Sequence, residues 1–187
     1  LETHLYLFLW PLLTGFASHA ASSFTTFFCR RCGPHRGSIL SFILRNILGV
    51  PLWAGGFVMA IRLRAQPIWN PSIWVNAAGG ALLLCGALII LLALFTLRIR
   101  AARPQIEDAL AETGLYAHMR HPIHAGTLLE FAGSFLLFPS RPVAIAFVLG
   151  LLWIWIQSML EERDLLQRLP AYRGYMNRVP RFFIRLH

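Results

Sequence analysis

Five apolar runs divide the chain, at about Leu5 to Ala21, Ile39 to Ile61, Ile73 to Leu97, Ala125 to Phe138 and Val143 to Leu160. Crossing the hydrocarbon of a bilayer takes roughly 20 consecutive apolar residues in an α-helix. The first three runs are read as spans of that kind. The fourth has only 14 residues, so it is expected to borrow residues before Ala125 or to lie tilted and covered by protein. Pro139, Ser140, Arg141 and Pro142 form a tight turn between the fourth and fifth runs, which predicts a helical hairpin. Beyond it, Leu169 and Pro170 break the helix, and Ala171 to Val179 is expected to form a short amphipathic helix that Pro180 stops. The fold class is therefore all-α, a polytopic transmembrane helical bundle of about five spans with a C-terminal hairpin and a short cytoplasmic C-terminal helix.

Composition agrees with the pattern. Of 187 residues, 57% are hydrophobic and 13% charged, with a mean hydropathy of +0.59, too apolar for an ordinary soluble domain. The net charge of +9 comes from 17 basic residues, all arginine, against 8 acidic ones. These arginines lie between apolar runs, so a nucleic-acid-binding face is not expected; lipid headgroups and membrane orientation explain them better. With five spans, Arg30, Arg31, Arg36, Arg98, Arg100, Arg103, Arg120, Arg163, Arg168, Arg173, Arg178, Arg181 and Arg185 share one side, and Arg62, Arg64 and Arg141 the other. Thirteen against three makes the third loop and the tail cytoplasmic. Arg45 falls inside the second span and is expected to snorkel. Trp69 and Trp74 read as an outer aromatic belt. Gly79, Gly80 and Gly86 admit close approach of another helix or of a flat ligand. No cleavable leader is expected. Length and the lack of lysine point to a compact prokaryotic inner-membrane protein.

The stretch from Gly114 to Glu130 changes the picture. It packs Tyr116, His118, Arg120, His121, His124 and Glu130 around Pro122, just before an apolar run, and such ionisable density at a membrane boundary is costly unless it binds something. Pro122 disfavours helical geometry at His121 and breaks the i, i+3 spacing a histidine metal cluster would need. Cys29, Cys32 and His35 lack a second ligand pair, so no metal is expected. The hairpin returns the chain to the same side, where Glu161 and Glu162 stand with Tyr172 and Tyr175. Adjacent helical residues lie about 100° apart, so only one of the two carboxylates can face a ligand squarely. Glu130 reads either as an arginine partner or as a substrate contact.

Gly114, Tyr116, Arg120, His121, Pro122 and Gly126, followed by Glu161, Glu162, Leu165, Tyr172, Tyr175, Val179 and Arg181, resemble the isoprenylcysteine carboxyl methyltransferase and phospholipid methyltransferase superfamily. Its pattern runs approximately G-x-Y-x-x-x-R-H-P-x-Y-x-G, then E-E-x-x-L, then Y-x-x-Y with V-x-R. The resemblance implies an enzyme whose hairpin and tail hold S-adenosylmethionine on the cytoplasmic side, with a lipophilic acceptor arriving sideways from the bilayer. Cofactor contacts would come from Tyr116, His121, Pro122, Glu161, Glu162, Tyr172 and Tyr175. Candidate catalytic residues are His124, Arg120 and Glu130. His124 stands where the family has tyrosine, and could serve as a base. Leu169-Pro170 replaces the family's Phe-Gly. One integral membrane domain results, with residues 1–97 as a three-span scaffold and 98–187 as cofactor-binding loop, hairpin and tail. An NADPH-dependent sterol reductase and a non-enzymatic membrane assembly protein are the alternatives; paired glutamates favour a cationic cofactor over a phosphorylated one.

Overall fold

Prolines decide where several helices begin. The computed structural model describes residues 6–63, 65–97 and 110–182. Helix α1 spans Leu9–Ala21 and α2 spans Thr25–Cys32. Gly33, at φ +86°, turns the chain into α3, Pro34–Phe42, with Pro34 in its first turn. The helix then widens into π-type turns over Ile43–Gly49 and continues as α4, Val50–Arg62. Pro51 has no N–H and its ring crowds the carbonyl four residues back, so a widened turn just before it relieves the conflict. Helix α5 spans Ile73–Leu97, α6 Pro122–Leu137, α7 Arg141–Arg168 and α8 Tyr172–Arg178, with a 3₁₀ turn at Gly114–Ala117.

Every regular element among the described residues is helical, as a chain in hydrocarbon requires when its backbone groups must be satisfied within the segment. Among the described residues, three stretches are long and apolar enough to cross a membrane: Pro34–Arg62, Ile73–Leu97 and Arg141–Arg168. The first and fourth apolar runs also form helices, but short ones. At 1.5 Å per residue α1 and α6 reach about 20 Å and about 24 Å, less than the roughly 30 Å of hydrocarbon. The start of the expected cofactor-binding loop, residues 98–109, lies outside the described residues. The first loop proves to be mostly helical, made of α2 and the start of α3, with Cys29 buried and Cys32 exposed.

The core lies where α1, α4, α6 and α7 meet. Phe8, Leu12 and Phe16 pack with Phe57, Ala60, Phe131, Val143, Ala146, Trp153 and Ile154. The Phe57 and Phe131 rings stack at 4.7 Å. Helix α5 stands against α6 through glycines: a Cβ on Gly86 would lie 2.6 Å from the Gly126 carbonyl oxygen, and one on Gly133 would lie 2.7 Å from that of Gly79. Gly79 and Gly86 therefore serve helix packing, whereas a Cβ on Gly80 would meet nothing within 4 Å. Elsewhere α5 exposes Leu84, Leu88, Leu91 and Phe95, a face suited to lipid.

The expected hairpin is present. Ser140 is extended at the junction of α6 and α7, and the Ile68 N–H donates to the Pro139 carbonyl at 2.6 Å. Trp69 packs edge-on against Phe135, while Trp74 is exposed.

Candidate active site

His121 is kept out of the helical region ahead of Pro122, at φ −125° and ψ 63°, and stands at the N-cap position of α6. That extended turn pairs with the tail. The Arg120 N–H donates to the Pro180 carbonyl at 2.9 Å and the His121 N–H to that of Arg181 at 3.0 Å. The Arg120 guanidinium donates to the carbonyls of Met176 and Val179, at 2.8 and 2.7 Å, and so closes the end of α8.

These contacts converge on Glu162, which is 3% exposed. Its Oε1 accepts from Arg120 Nε at 3.0 Å and Arg181 Nε at 3.0 Å, and lies 3.1 Å from His121 Nε2. A second Arg181 nitrogen donates to Oε2, and the same guanidinium sits 5.0 Å over the Trp155 ring. Glu162 thus ties α7, the Arg120–His121 turn and the tail into one knot.

Glu161 faces the other way. It accepts from Arg45 at 3.1 Å and from Gln157 at 2.9 Å, and its Oε2 lies 3.6 Å from His121 Nδ1. The sequence led to the expectation that Arg45 snorkels; instead it reaches from the π-type turns to this carboxylate. Both His121 nitrogens consequently face carboxylates. Burial by itself would drive the ring neutral, but its hydrogen bonds to Glu161 and Glu162 and their negative charge outweigh that and raise its pKa above 6.5. A raised folded pKa gives stability that is complete below the unfolded value and is lost as pH rises through the folded one. Unfolding free energy is therefore expected to fall on going up from about pH 6.5, with a shallower fall in His121→Asn; denaturant titrations between about pH 6 and pH 9 in detergent check this.

Glu161 and His121 stand on the wall of a cavity of about 500 Å³. Tyr116, Arg120, His124, Glu130, Tyr172 and Tyr175 stand on it too. Pro122 and Glu162 lie behind it: Pro122 is buried in the first turn of α6, and Glu162 is turned toward the tail. The Glu162 carboxylate is taken up by Arg120, His121 and Arg181. Tyr175 donates to the Tyr116 carbonyl at 2.6 Å. Burial pushes the Tyr175 hydroxyl up to about 12 despite Arg120, and burial followed by the Glu161 and Glu162 charges raises Tyr116 and Tyr172 respectively. All three remain neutral donors. The Tyr172 hydroxyl is buried without a hydrogen-bond partner among the described residues. Leaving such a group unpaired costs about 1–3 kcal/mol.

Apolar side chains line the cavity too: Val50, Ile90, Leu94 and Leu97 stand on its wall, so its lining is part ionic and part aliphatic. His121, His124 and Glu161 bring ligand atoms within 4.8 Å of one another, but a cation there would have to displace the His121–Glu161 contact. Sequence reasoning missed Arg45, Gln157, His19, Trp53 and Trp153. Arg45 and His19 carried the available signal: each is an ionisable side chain inside an apolar run, where such groups are functional by default.

Residues 74–171, slightly more than half of the chain, match the model of a family described as phospholipid methyltransferase. The match begins in α5 and ends just before α8. No curated protein and no solved structure matches the chain.

Proposed function

The chain belongs to the phospholipid methyltransferase family, and from that premise we propose that it transfers a methyl group from S-adenosylmethionine to a lipophilic acceptor reached from the bilayer. The observation that carries the reading is the mixed lining of the cavity, with Glu161, His121 and Tyr172 on its wall together with Ile90, Leu94 and Leu97. The ionic part of the lining suits the donor. Glu161 offers a carboxylate to an amine or ribose hydroxyls, the Tyr172 hydroxyl lacks a partner among the described residues that a ligand would supply, and neutral aromatic faces suit an adenine or a sulfonium cation. When bound, that cofactor supplies an electrophilic methyl group. The protein's share is alignment and exclusion of water: the Glu162 knot fixes the His121 turn, and Tyr175 fixes Tyr116.

Five crossings, with α1 and α6 as the short ones, suit the arginine distribution and put Glu161 and the Arg120–His121 turn at the cytoplasmic face. Glu161 lies about 30 Å along α7 from Arg141 at 1.5 Å per residue, the thickness of the hydrocarbon. A cytosolic donor and a membrane-borne acceptor would then enter from different directions. The partners are membrane lipids and the acceptor.

Calorimetric titration of the detergent-purified protein tests the reading. S-adenosylmethionine is expected to bind, and Glu161→Gln to weaken it about tenfold to a hundredfold, since a hydrogen bond to a charged group contributes about 1.5–3 kcal/mol. Binding of NADPH with no response to S-adenosylmethionine would reject it in favour of a reductase.

A further inference from the structure

The family match covers residues 74–171, yet residues outside that stretch also line the cavity. Ser23 and Thr25, at the junction of α1 and α2, and Arg45 and Asn46, in the π-type turns, stand on its wall. Arg45 is the charged one of these four. It lies within the spanning stretch Pro34–Arg62, where an ionisable side chain is costly and marks a functional position by default, and π-type turns are themselves frequent at functional sites. Its Nη2 donates to Glu161 Oε1 at 3.1 Å and its Nε to Ser22 Oγ at 3.3 Å. Gln157, one helical turn before Glu161, donates through Nε2 to that same Oε1 at 2.9 Å and to Ser23 Oγ at 2.8 Å. Ser22 and Ser23 thus brace the two side chains that hold one oxygen of Glu161. The other oxygen, Oε2, lies 3.6 Å from His121 Nδ1, longer than a hydrogen bond.

We propose that Arg45 is a positioning residue of the methyl-donor site: together with Gln157 it takes up Oε1 of Glu161 and so reserves Oε2 for the amine or a ribose hydroxyl of S-adenosylmethionine. The inference rests on the methyltransferase reading and extends its site into the N-terminal part of the chain. Arg45 acts through Glu161 and does not itself touch the ligand. Its charge has two opposed effects. A guanidinium 3.1 Å away offsets part of the pull of the carboxylate on a cation, and it also fixes where that carboxylate points. Orientation outweighs the offset, because a Glu161 side chain released by Arg45 turns to close the gap to His121, its other ionic neighbour, and is then spent there. A bond to a charged group counts only when the group is held where the ligand needs it.

Calorimetric titration of S-adenosylmethionine into the full chain in lipid nanodiscs compares wild type with Arg45→Gln, Arg45→Lys, Glu161→Gln and the double variant Arg45→Gln with Glu161→Gln. Arg45→Gln is expected to weaken binding about tenfold, and Arg45→Lys, which keeps the charge but loses the planar fork, about threefold. A residue that acts through another loses its effect once the other is changed, so adding Arg45→Gln to Glu161→Gln is expected to alter affinity by less than about twofold. An arginine that only supported the fold would weaken binding as much in either background. The double variant removes both charges of the pair and leaves neither one unpaired, so its comparison with Glu161→Gln holds where Arg45→Gln alone unfolds. Unchanged or tighter binding in Arg45→Gln, or a further loss of about tenfold on adding it to Glu161→Gln, overturns the assignment while the methyltransferase reading stands. Should wild type not bind S-adenosylmethionine, that reading fails and the assignment falls with it.

Discussion

Glu162→Ala is expected to lower the unfolding free energy by about 3–5 kcal/mol, the usual cost of removing one partner from a buried ion pair. The carboxylate is almost wholly buried and is shared by Arg120, His121 and Arg181. Its loss leaves two guanidiniums and an imidazole close together with nothing negative between them. Repulsion then adds to desolvation, and the tail loses its side-chain anchor on α7. Glu162→Gln keeps the shape and an acceptor oxygen, so it is expected to fall between wild type and alanine. Thermal and denaturant unfolding in detergent, followed by near-ultraviolet circular dichroism, measures the order. Equal stability of the alanine variant and wild type would mean that the knot does not hold the tail.

Gly86→Val is expected to separate α5 from α6 and cost about 3 kcal/mol or more, at or above the upper end for forcing extra atoms into a packed interface. The first added carbon already meets the Gly126 carbonyl oxygen at 2.6 Å and Glu130 Cγ at 2.9 Å, and the former is backbone that cannot swing aside. Helices in hydrocarbon gain little from burying apolar surface, so close contact between glycine-bearing faces is what holds this pair. Gly80→Val is the matched control. It sits one turn and a half away on the same helix, with open space where its side chain would go, and is expected to cost about 0.5 kcal/mol or less. Unfolding curves for the two variants, with S-adenosylmethionine affinity alongside, read out both the seam and its effect on the cavity that Ile90 and Leu94 line.

Much of the site's parts list was legible beforehand. His121 before Pro122, the Glu161–Glu162 pair and the tyrosines of the tail announced themselves because ionisable and hydroxylated residues are rare beside apolar runs, and a proline restricts its neighbour by local sterics alone. The hairpin was legible for the same local reason. Which glutamate faces the cavity was not: a rotation of 100° between adjacent residues says that they differ, and only packing of α7 against its neighbours says how. Arg45 shows the limit most clearly. Its position within an apolar run suggested snorkelling toward headgroups, but α3–α4 brings it against Glu161, 116 residues away in sequence.

Sequence by itself determined the helical class, the places where prolines start or stop helices, the polar stretch ahead of α6 and the membership of its chemical groups, since all of these follow from hydropathy and from backbone restrictions acting within a few residues. Tertiary structure alone decided that Glu162 braces while Glu161 faces the cavity, that Gly86 meets Gly126, and that Arg45 reaches Glu161. Those facts depend on how helices distant in the chain rotate and press together, and no local preference fixes that.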